Sequence, residues 1–311
     1  MDLFLHLGAH RTGSTTLQMY AAARHAALRA SDVTVWGPKQ TRDGRFDGLI
    51  KAADRVTPAL ARDGRAACAA LGPMMDRVGT QALVISEENM LGSMFANVRE
   101  RSLYADAARR LARFRPAMAG KCRRIGLAIR SYDRHWTSSL AFVLRKDQRG
   151  TSPCELAELA AQPRRWRDVI ADVATVYPEA EVLVWPFEAL VDAPDAVLRA
   201  LVGGRLDAAT PARFTQCHHP SPRCADLRAA LPEGAARASV AGDGAAWEPF
   251  DAETRAALRA AYAADIAWLR AGADGLARYI ETPKDTSPEI IAGRPGQQRG
   301  TDHDQRQRRV G

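Results

Sequence analysis

The sequence predicts an α/β fold with a doubly wound, mostly parallel sheet and helices on both faces. Short apolar runs, typical of strands buried on both faces, alternate along the chain with longer helical stretches. The first of these runs also passes through a glycine-containing turn directly into a helix, as in phosphate-binding α/β folds. With 311 residues, 46% of them hydrophobic, the chain is long enough to bury a large core.

The order of the predicted elements supports this architecture. The predicted strands lie at 2–7, 33–36, 82–85, 124–129 and 182–186. The predicted helices lie at about 14–30, in pieces over 51–72, near 98–114, and at 133–145, 165–176, from 194 onward and 251–271. We expect residues 1–282 to form one domain. Residues 283–311, rich in Pro, Gly, Gln, Asp and Arg, predict a disordered basic tail.

Composition limits the classes of function. The net charge of +8 and the isoelectric point near 9.6 suit an anionic ligand, although a plain solvated surface explains them equally well. No run combines clustered basic residues with aromatic residues, so no nucleic-acid partner is predicted. The odd set of five cysteines fits a reducing compartment. Neither a signal peptide nor an apolar run of about 20 residues is evident, which favours a cytoplasmic protein without a membrane span.

The turn after the first strand, residues 8–16, is the most informative segment. Gly8 and Gly13 allow a tight loop, and the following helix presents unpaired N–H groups that bind phosphate or sulfate oxygens. Arg11 adds a full positive charge. Hydroxyl groups follow on Ser14, Thr15 and Thr16. In an open parallel sheet, ligands bind at this end of the strands.

This loop departs from the nucleoside-triphosphatase loop at one position. Gly8 and Gly13 have the spacing of that loop, and Thr15 stands where its hydroxyl residue belongs. Ser14, however, occupies the lysine position, and the cation has moved inside the loop to Arg11. This difference argues against the usual handling of a γ-phosphate.

A second anion-binding element is predicted after the strand at 124–129. Arg130 at the strand end can donate two hydrogen bonds to a phosphate group. Ser138, on the helix that follows, can donate to the same group. A lone arginine is more often part of a surface ion pair, so this assignment depends on the presence of the first loop.

Together the two segments resemble the sulfotransferases that use 3′-phosphoadenosine 5′-phosphosulfate (PAPS), particularly the bacterial members. Residues 10–18 resemble the family's first loop, with Arg11 where lysine is usual, and residues 129–138 resemble its second motif. The resemblance extends over about 3–270. It implies that PAPS is the donor and that no metal is needed. The implied donor-binding residues are His10, Arg11, Thr12, Gly13, Ser14, Thr15, Thr16, Arg130 and Ser138.

The catalytic candidates are a cation and a base. Arg11 is placed to neutralise charge on the leaving phosphate. Residues 84–90 resemble a bacterial pattern that aligns Glu88 with the family's glutamate, which makes Glu88 the first candidate for the base and Glu87 the second. Either glutamate could instead cap the next segment. His10 inside the loop is a further candidate, and His135 is a weaker one.

A zinc site is not predicted. Cys217, His218, His219 and Cys224 do not have the spacing of a zinc finger, and a partner pair is missing. Residues 218–223 resemble instead the segment that closes over the donor in this family, which implies that Ser221 or Arg223 contacts it.

The expected activity is transfer of a sulfuryl group to a hydroxyl or amine of a carbohydrate, a lipid headgroup or a small metabolite. The first alternative is a P-loop kinase or nucleotide hydrolase, which would depend on ATP and magnesium. The second is a non-catalytic nucleotide-binding protein, which the arginine in place of lysine at position 11 favours.

Overall fold

The computed structural model describes residues 1–206, 223–240, 242 and 246–286. Within these residues, six parallel strands form one sheet in the order β2-β3-β1-β4-β5-β6. The strands are β1 Asp2–His6, β2 Val33–Trp36, β3 Ala82–Ser86, β4 Cys122–Ile129, β5 Glu181–Pro186 and β6 Arg278–Tyr279. The predicted doubly wound parallel α/β fold is therefore confirmed.

The helices lie between the strands. The α-helices are α1 Ser14–Ala23, α2 His25–Ala30, α3 Pro38–Thr41, α4 Asp47–Ile50, α5 Pro58–Ala69, α6 Leu71–Arg77, α7 Met94–Arg99, α8 Ala107–Ala112, α9 Arg115–Met118, α10 Tyr132–Asp147, α11 Pro153–Ala161, α12 Trp166–Val176, α13 Phe187–Leu190, α14 Pro194–Val202, α15 Cys224–Ala229, α16 Ala235–Ala238 and α17 Ala252–Arg270. Single turns of 3₁₀ helix occur at Ala53–Arg55, Glu88–Met90, Gly203–Arg205, Ala273–Gly275 and Pro283–Thr286.

The core lies on both faces of the sheet, as the apolar strands require. Because side chains alternate along a strand, Leu3 and Leu5 point to one face and Phe4 points to the other. Leu3 and Leu5 belong to a large cluster that includes side chains from α8, α10 and α12. Phe4 belongs to a second cluster built on α1 and α14. Side chains therefore cover both faces of β1, so a ligand can contact this strand at its carboxyl end and not on its faces.

β1 lies between β3 and β4, with Leu5 paired to Ile85 on one side and to Ile125 on the other. The chain continues towards the loop with two more sheet-like hydrogen bonds, from Leu7 N to Gly126 O at 2.9 Å and from Ala9 N to Ala128 O at 3.2 Å. After β1 the chain forms β2 and β3 on one side of it, and then crosses to form β4, β5 and β6 on the other side. The loop therefore begins at the switch point of the sheet, where open α/β folds bind their ligands.

Two predicted helices differ from the structure, and some observed elements were not predicted. The helix predicted at 14–30 is divided at Arg24, whose φ of −104° and ψ of 14° are not helical. The helix predicted near 98–114 is replaced by α7, a connection and α8, because Arg101 and Tyr104 take positive φ angles of 49° and 50°. The short strand β6 and the helix α11 were not predicted.

The end of the chain is described only in part. Pro283–Thr286 form a 3₁₀ turn within the segment predicted to be a disordered tail, and Thr286 is buried. The remainder of that segment, 287–311, lies outside the described residues. Among the described residues, we find no helix with both the length and the apolar character needed to cross a membrane.

Candidate active site

The loop at 8–16 is a compact turn that leads into α1. Positive φ angles of 26° at Gly8, 67° at Arg11 and 81° at Gly13 reverse the chain. The Thr12 hydroxyl donates to the carbonyl of Ala9 at 2.5 Å, which uses this side chain to close the turn. Among the described residues, no side chain caps the amino end of α1. Its N–H groups and partial positive charge therefore remain directed at the space above the loop.

The three hydroxyl residues at the start of α1 differ in their surroundings. The hydroxyl oxygen of Ser14 is buried and has no hydrogen-bond partner among the described residues. It lies close to Gly8, where an added Cβ would be only 2.6 Å from it. Thr16 is buried, whereas Thr15 is partly exposed. The Ser14 hydroxyl is thus a buried donor beside the loop whose hydrogen has no acceptor among the described residues.

The two anion-binding segments meet in the folded chain. The Nε atom of Arg11 donates to Oγ of Ser138 at 2.7 Å, although the two residues are 127 positions apart. Arg130 donates from Nη1 to the carbonyl oxygen of Arg11 at 3.2 Å. The structure therefore brings the first loop, the end of β4 and the start of α10 to one point.

Several contacts fix Arg130 at the end of β4. Its carbonyl accepts from the indole N–H of Trp166 at 2.8 Å. Its guanidinium lies over the ring of Phe187, 4.6 Å from the centroid, and its Nε is 3.6 Å from a carboxylate oxygen of Glu188. A stacked and paired guanidinium is held in one orientation, which suits recognition of a phosphate.

His10 is held through both ring nitrogens. The Tyr104 hydroxyl accepts from the backbone N–H of His10 at 2.8 Å, so it donates to Nδ1 of the same residue, also at 2.8 Å. Nε2 then carries the hydrogen and donates to Oδ1 of Asn89 at 3.2 Å. Burial lowers the pKa of His10, and the nearby Glu88 and Asn89 only partly offset this. A neutral ring with both nitrogens engaged is suited to fixing the loop and not to accepting a proton.

Glu87 and Glu88 have different roles in the structure. Glu87 is fully buried, and its carboxylate accepts from the backbone N–H of Asn89 at 3.0 Å and from the Thr41 hydroxyl at 2.5 Å. It also receives Nε of Arg42 at 2.9 Å and Nη2 at 2.7 Å. With its oxygens occupied, Glu87 acts as the cap that the alternative interpretation assigned to these glutamates.

One carboxylate oxygen of Glu88 accepts a hydrogen bond and the other does not. Its Oε1 accepts from Nη2 of Arg42 at 2.8 Å, whereas Oε2 is buried and has no hydrogen-bond partner among the described residues. Burial alone would raise the pKa of Glu88, but His10 and Arg42 outweigh it, and the pKa is lowered overall. Glu88 is therefore an ionised carboxylate with one buried oxygen that makes no hydrogen bond to the described residues.

His135 is buried below the loop at 8–16 and is not exposed to solvent. Its ring is fully buried, with centroids 5.1 Å from Trp136 and 5.2 Å from Trp166. Burial, with smaller contributions from His10, Arg130 and Arg11, lowers its pKa to about 3. His135 is therefore a neutral histidine packed among aromatic rings.

The site residues follow the carboxyl ends of four neighbouring strands. In sheet order, β2 is followed by Arg42, β3 by Glu88, β1 by the loop with Arg11, and β4 by Arg130. Sequence reasoning missed Arg42 and Tyr104. Arg42 stands after a predicted strand, which is a usable signal, but Tyr104 reaches His10 across 94 residues and carries no local signal.

The segment with Cys217, His218, His219 and Ser221 lies outside the described residues. Arg223 is described, and its backbone N–H donates to Asp226 at the start of α15. Among the described residues, no three His, Cys, Asp or Glu side chains form a group that could hold a metal ion.

Comparison with known proteins adds no identification: no family model, curated protein or solved structure matches this chain.

Proposed function

We propose that this chain is a sulfotransferase that uses PAPS as its sulfuryl donor. The observation that carries the proposal is the hydrogen bond between Arg11 and Ser138, which joins the first loop to the second anion-binding element. A donor with a phosphosulfate at one end and a 3′-phosphate at the other needs two neighbouring anion sites of this kind. The loop and α1 would hold the phosphosulfate, and Arg130 with Ser138 would hold the 3′-phosphate.

The proposed reaction moves a sulfuryl group to a hydroxyl or an amine. The acceptor oxygen or nitrogen attacks sulfur, and its proton passes to Oε2 of Glu88. The bond from sulfur to the bridging phosphate oxygen breaks, and its electron pair stays on that oxygen to give 3′,5′-ADP. Arg11 and the amino end of α1 stabilise the negative charge that builds on the leaving phosphate.

The acceptor belongs to the class of carbohydrates, lipid headgroups or small metabolites, and neither a metal nor a redox cofactor takes part. We also propose a cytoplasmic location. The absence of a disulfide among Cys68, Cys122 and Cys154 supports a reducing compartment.

Thermal unfolding with two nucleotides tests the choice of donor. The protein should be stabilised by 3′,5′-ADP more strongly than by ATP with magnesium at equal concentration, because ligands that bind only the folded state raise its melting temperature. Stronger stabilisation by ATP with magnesium would favour the kinase or hydrolase alternative instead. Binding of 3′,5′-ADP without transfer of radiolabelled sulfate to any acceptor in a broad panel would favour the non-catalytic alternative.

Glu88→Gln tests the assignment of the base. This change keeps the size of the side chain but removes the proton acceptor, so transfer should slow by about 10²–10⁴-fold while 3′,5′-ADP binding is preserved. Glu100→Gln is the control, because Glu100 is an exposed glutamate paired with Arg99. Equal turnover in the two variants would remove Glu88 from the mechanism.

A further inference from the structure

Arg42 is shared between two adjacent glutamates at the end of β3. Its Nη2 atom donates to Oε1 of Glu87 at 2.7 Å and to Oε1 of Glu88 at 2.8 Å. Its Nε atom donates to Glu87 as well, at 2.9 Å. Arg42 immediately follows α3, so it approaches the glutamates from the neighbouring strand connection and not from their own segment.

The two contacts of Arg42 are not equivalent. The Glu87 side chain is fully enclosed, whereas 18% of the Glu88 side chain is exposed. Glu87 receives two nitrogen atoms of the guanidinium and is also held by the Thr41 hydroxyl. A buried, bidentate pair of this kind fixes the plane of the guanidinium. Glu87 is therefore the anchor, and the second contact of Arg42 is directed at Glu88.

Anchored in this way, Arg42 holds only one oxygen of Glu88. The other oxygen, Oε2, is buried and has no hydrogen-bond partner among the described residues. We propose that Arg42 is a positioning residue, which Glu87 holds in place and which turns Oε2 of Glu88 towards the acceptor. This inference rests on the proposed function only in naming the acceptor as the source of the proton.

The charges around Glu88 set its pKa, and the contribution of Arg42 to that pKa can be measured. The titratable groups that face Glu88 from the packed elements are His6, His10, Arg42, Glu87 and Tyr104. Burial raises the pKa of Glu88, while His10 and Arg42 lower it. Without Arg42, burial would be opposed only by His10 and by a backbone hydrogen bond, and Glu88 would take up a proton at a higher pH. In the proposed reaction, that proton would block its function as a base.

The test compares four variants. Arg42→Gln removes the charge, and Arg42→Lys keeps it but loses the planar fork. Arg42→Gln leaves the buried Glu87 without its counter-ion, which can destabilise the fold. The double variant Arg42→Gln/Glu87→Gln removes that buried charge as well, so it still tests the role of Arg42 if the single variant does not fold. Arg45→Gln is the matched control: Arg45 is similarly exposed and pairs with Asp43.

The first readout is the carbon-13 titration of the Glu88 carboxyl, assigned by its loss in Glu88→Gln. We expect its midpoint to move to higher pH in Arg42→Gln and to stay unchanged in Arg45→Gln. It should move less in Arg42→Lys, which keeps the charge, and in the double variant, which also removes the negative charge of Glu87. A midpoint that is the same in the wild type and in both charge-removing variants would overturn the proposal. This readout needs neither donor nor acceptor.

The second readout is the pH profile of sulfate transfer. Arg42→Gln should lose about tenfold in kcat on the acidic side and the double variant less, with much of the loss in both recovered at high pH. A uniform loss at every pH would mark Arg42 as merely structural and would overturn its role. If the wild type transfers no sulfate, the proposed function fails, while the carboxyl titration still decides whether Arg42 sets the state of Glu88.

Discussion

Replacing Gly8 by alanine tests the geometry of the anion-binding loop. Gly8 has a φ of 26°, and an added Cβ would lie 2.6 Å from Oγ of Ser14 and 2.7 Å from Cε1 of His6. A positive φ costs a non-glycine residue about 1 kcal/mol, and crowding a packed site adds about 1–3 kcal/mol. We therefore expect Gly8→Ala to lower the free energy of unfolding by about 2–4 kcal/mol.

Gly79→Ala separates the two contributions. Gly79 also has a positive φ, 71°, but nothing lies within 4 Å of its added Cβ. This control should therefore cost only the backbone strain, about 1 kcal/mol.

Urea unfolding followed by circular dichroism gives both free energies, and calorimetric titration gives the affinity for 3′,5′-ADP. Because the new methyl group displaces Ser14, Gly8→Ala should also weaken 3′,5′-ADP binding, while Gly79→Ala should not. A Gly8→Ala variant that is no less stable than Gly79→Ala would refute the packing described for the loop.

Three more predictions concern side chains around the loop. Ser138→Ala should weaken 3′,5′-ADP binding about tenfold in calorimetric titration, the cost of one charge-assisted hydrogen bond; an unchanged Kd would contradict its role. Tyr104→Phe leaves two polar groups of His10 without their hydroxyl partner and should lower the free energy of unfolding by about 1–3 kcal/mol in urea; a stability equal to the wild type would contradict this. His6 and His135 have pKa values of about 4 and about 3, below the 6.5 of the unfolded chain, so the unfolded state binds their protons first and stability falls as pH drops from 6.5 towards 4. His135→Leu should reduce that slope by about 1.4 kcal/mol per pH unit, and a slope equal to the wild type would count against it.

Much of the fold could be predicted because its strands are buried on both faces. Four of the five residues from Leu3 to Leu7 are apolar, as cover by helices on both faces of the sheet requires, so β1 is evident in the sequence. β6 was missed because Arg278 and Tyr279 form only two residues of strand, too few to show a pattern. The break at Arg24 was missed because neither proline nor glycine marks it.

The residues of the candidate site likewise include some that could be predicted from the sequence and some that could not. The loop and Arg130 follow strand ends directly, and residue types and spacing are enough to single them out. The roles of Glu87 and Glu88 could not be separated from sequence, because adjacent carboxylates look alike until Arg42 and Thr41 are seen to occupy one of them. Tyr104 could not be found because a positive φ at a tyrosine has no sequence signature.

The central position of β1 has a consequence for how the protein forms during synthesis. His6 meets Ser86 across 80 residues, and Arg11 meets Arg130 across 119. During synthesis β1 therefore has no partner until β2 and β3 have followed it out of the ribosome. Contacts between such distant parts of a chain form slowly and expose apolar strand edges in the meantime. We expect nascent chains that end before β4 to bind chaperones, and the anion-binding site to appear only once α10 has emerged.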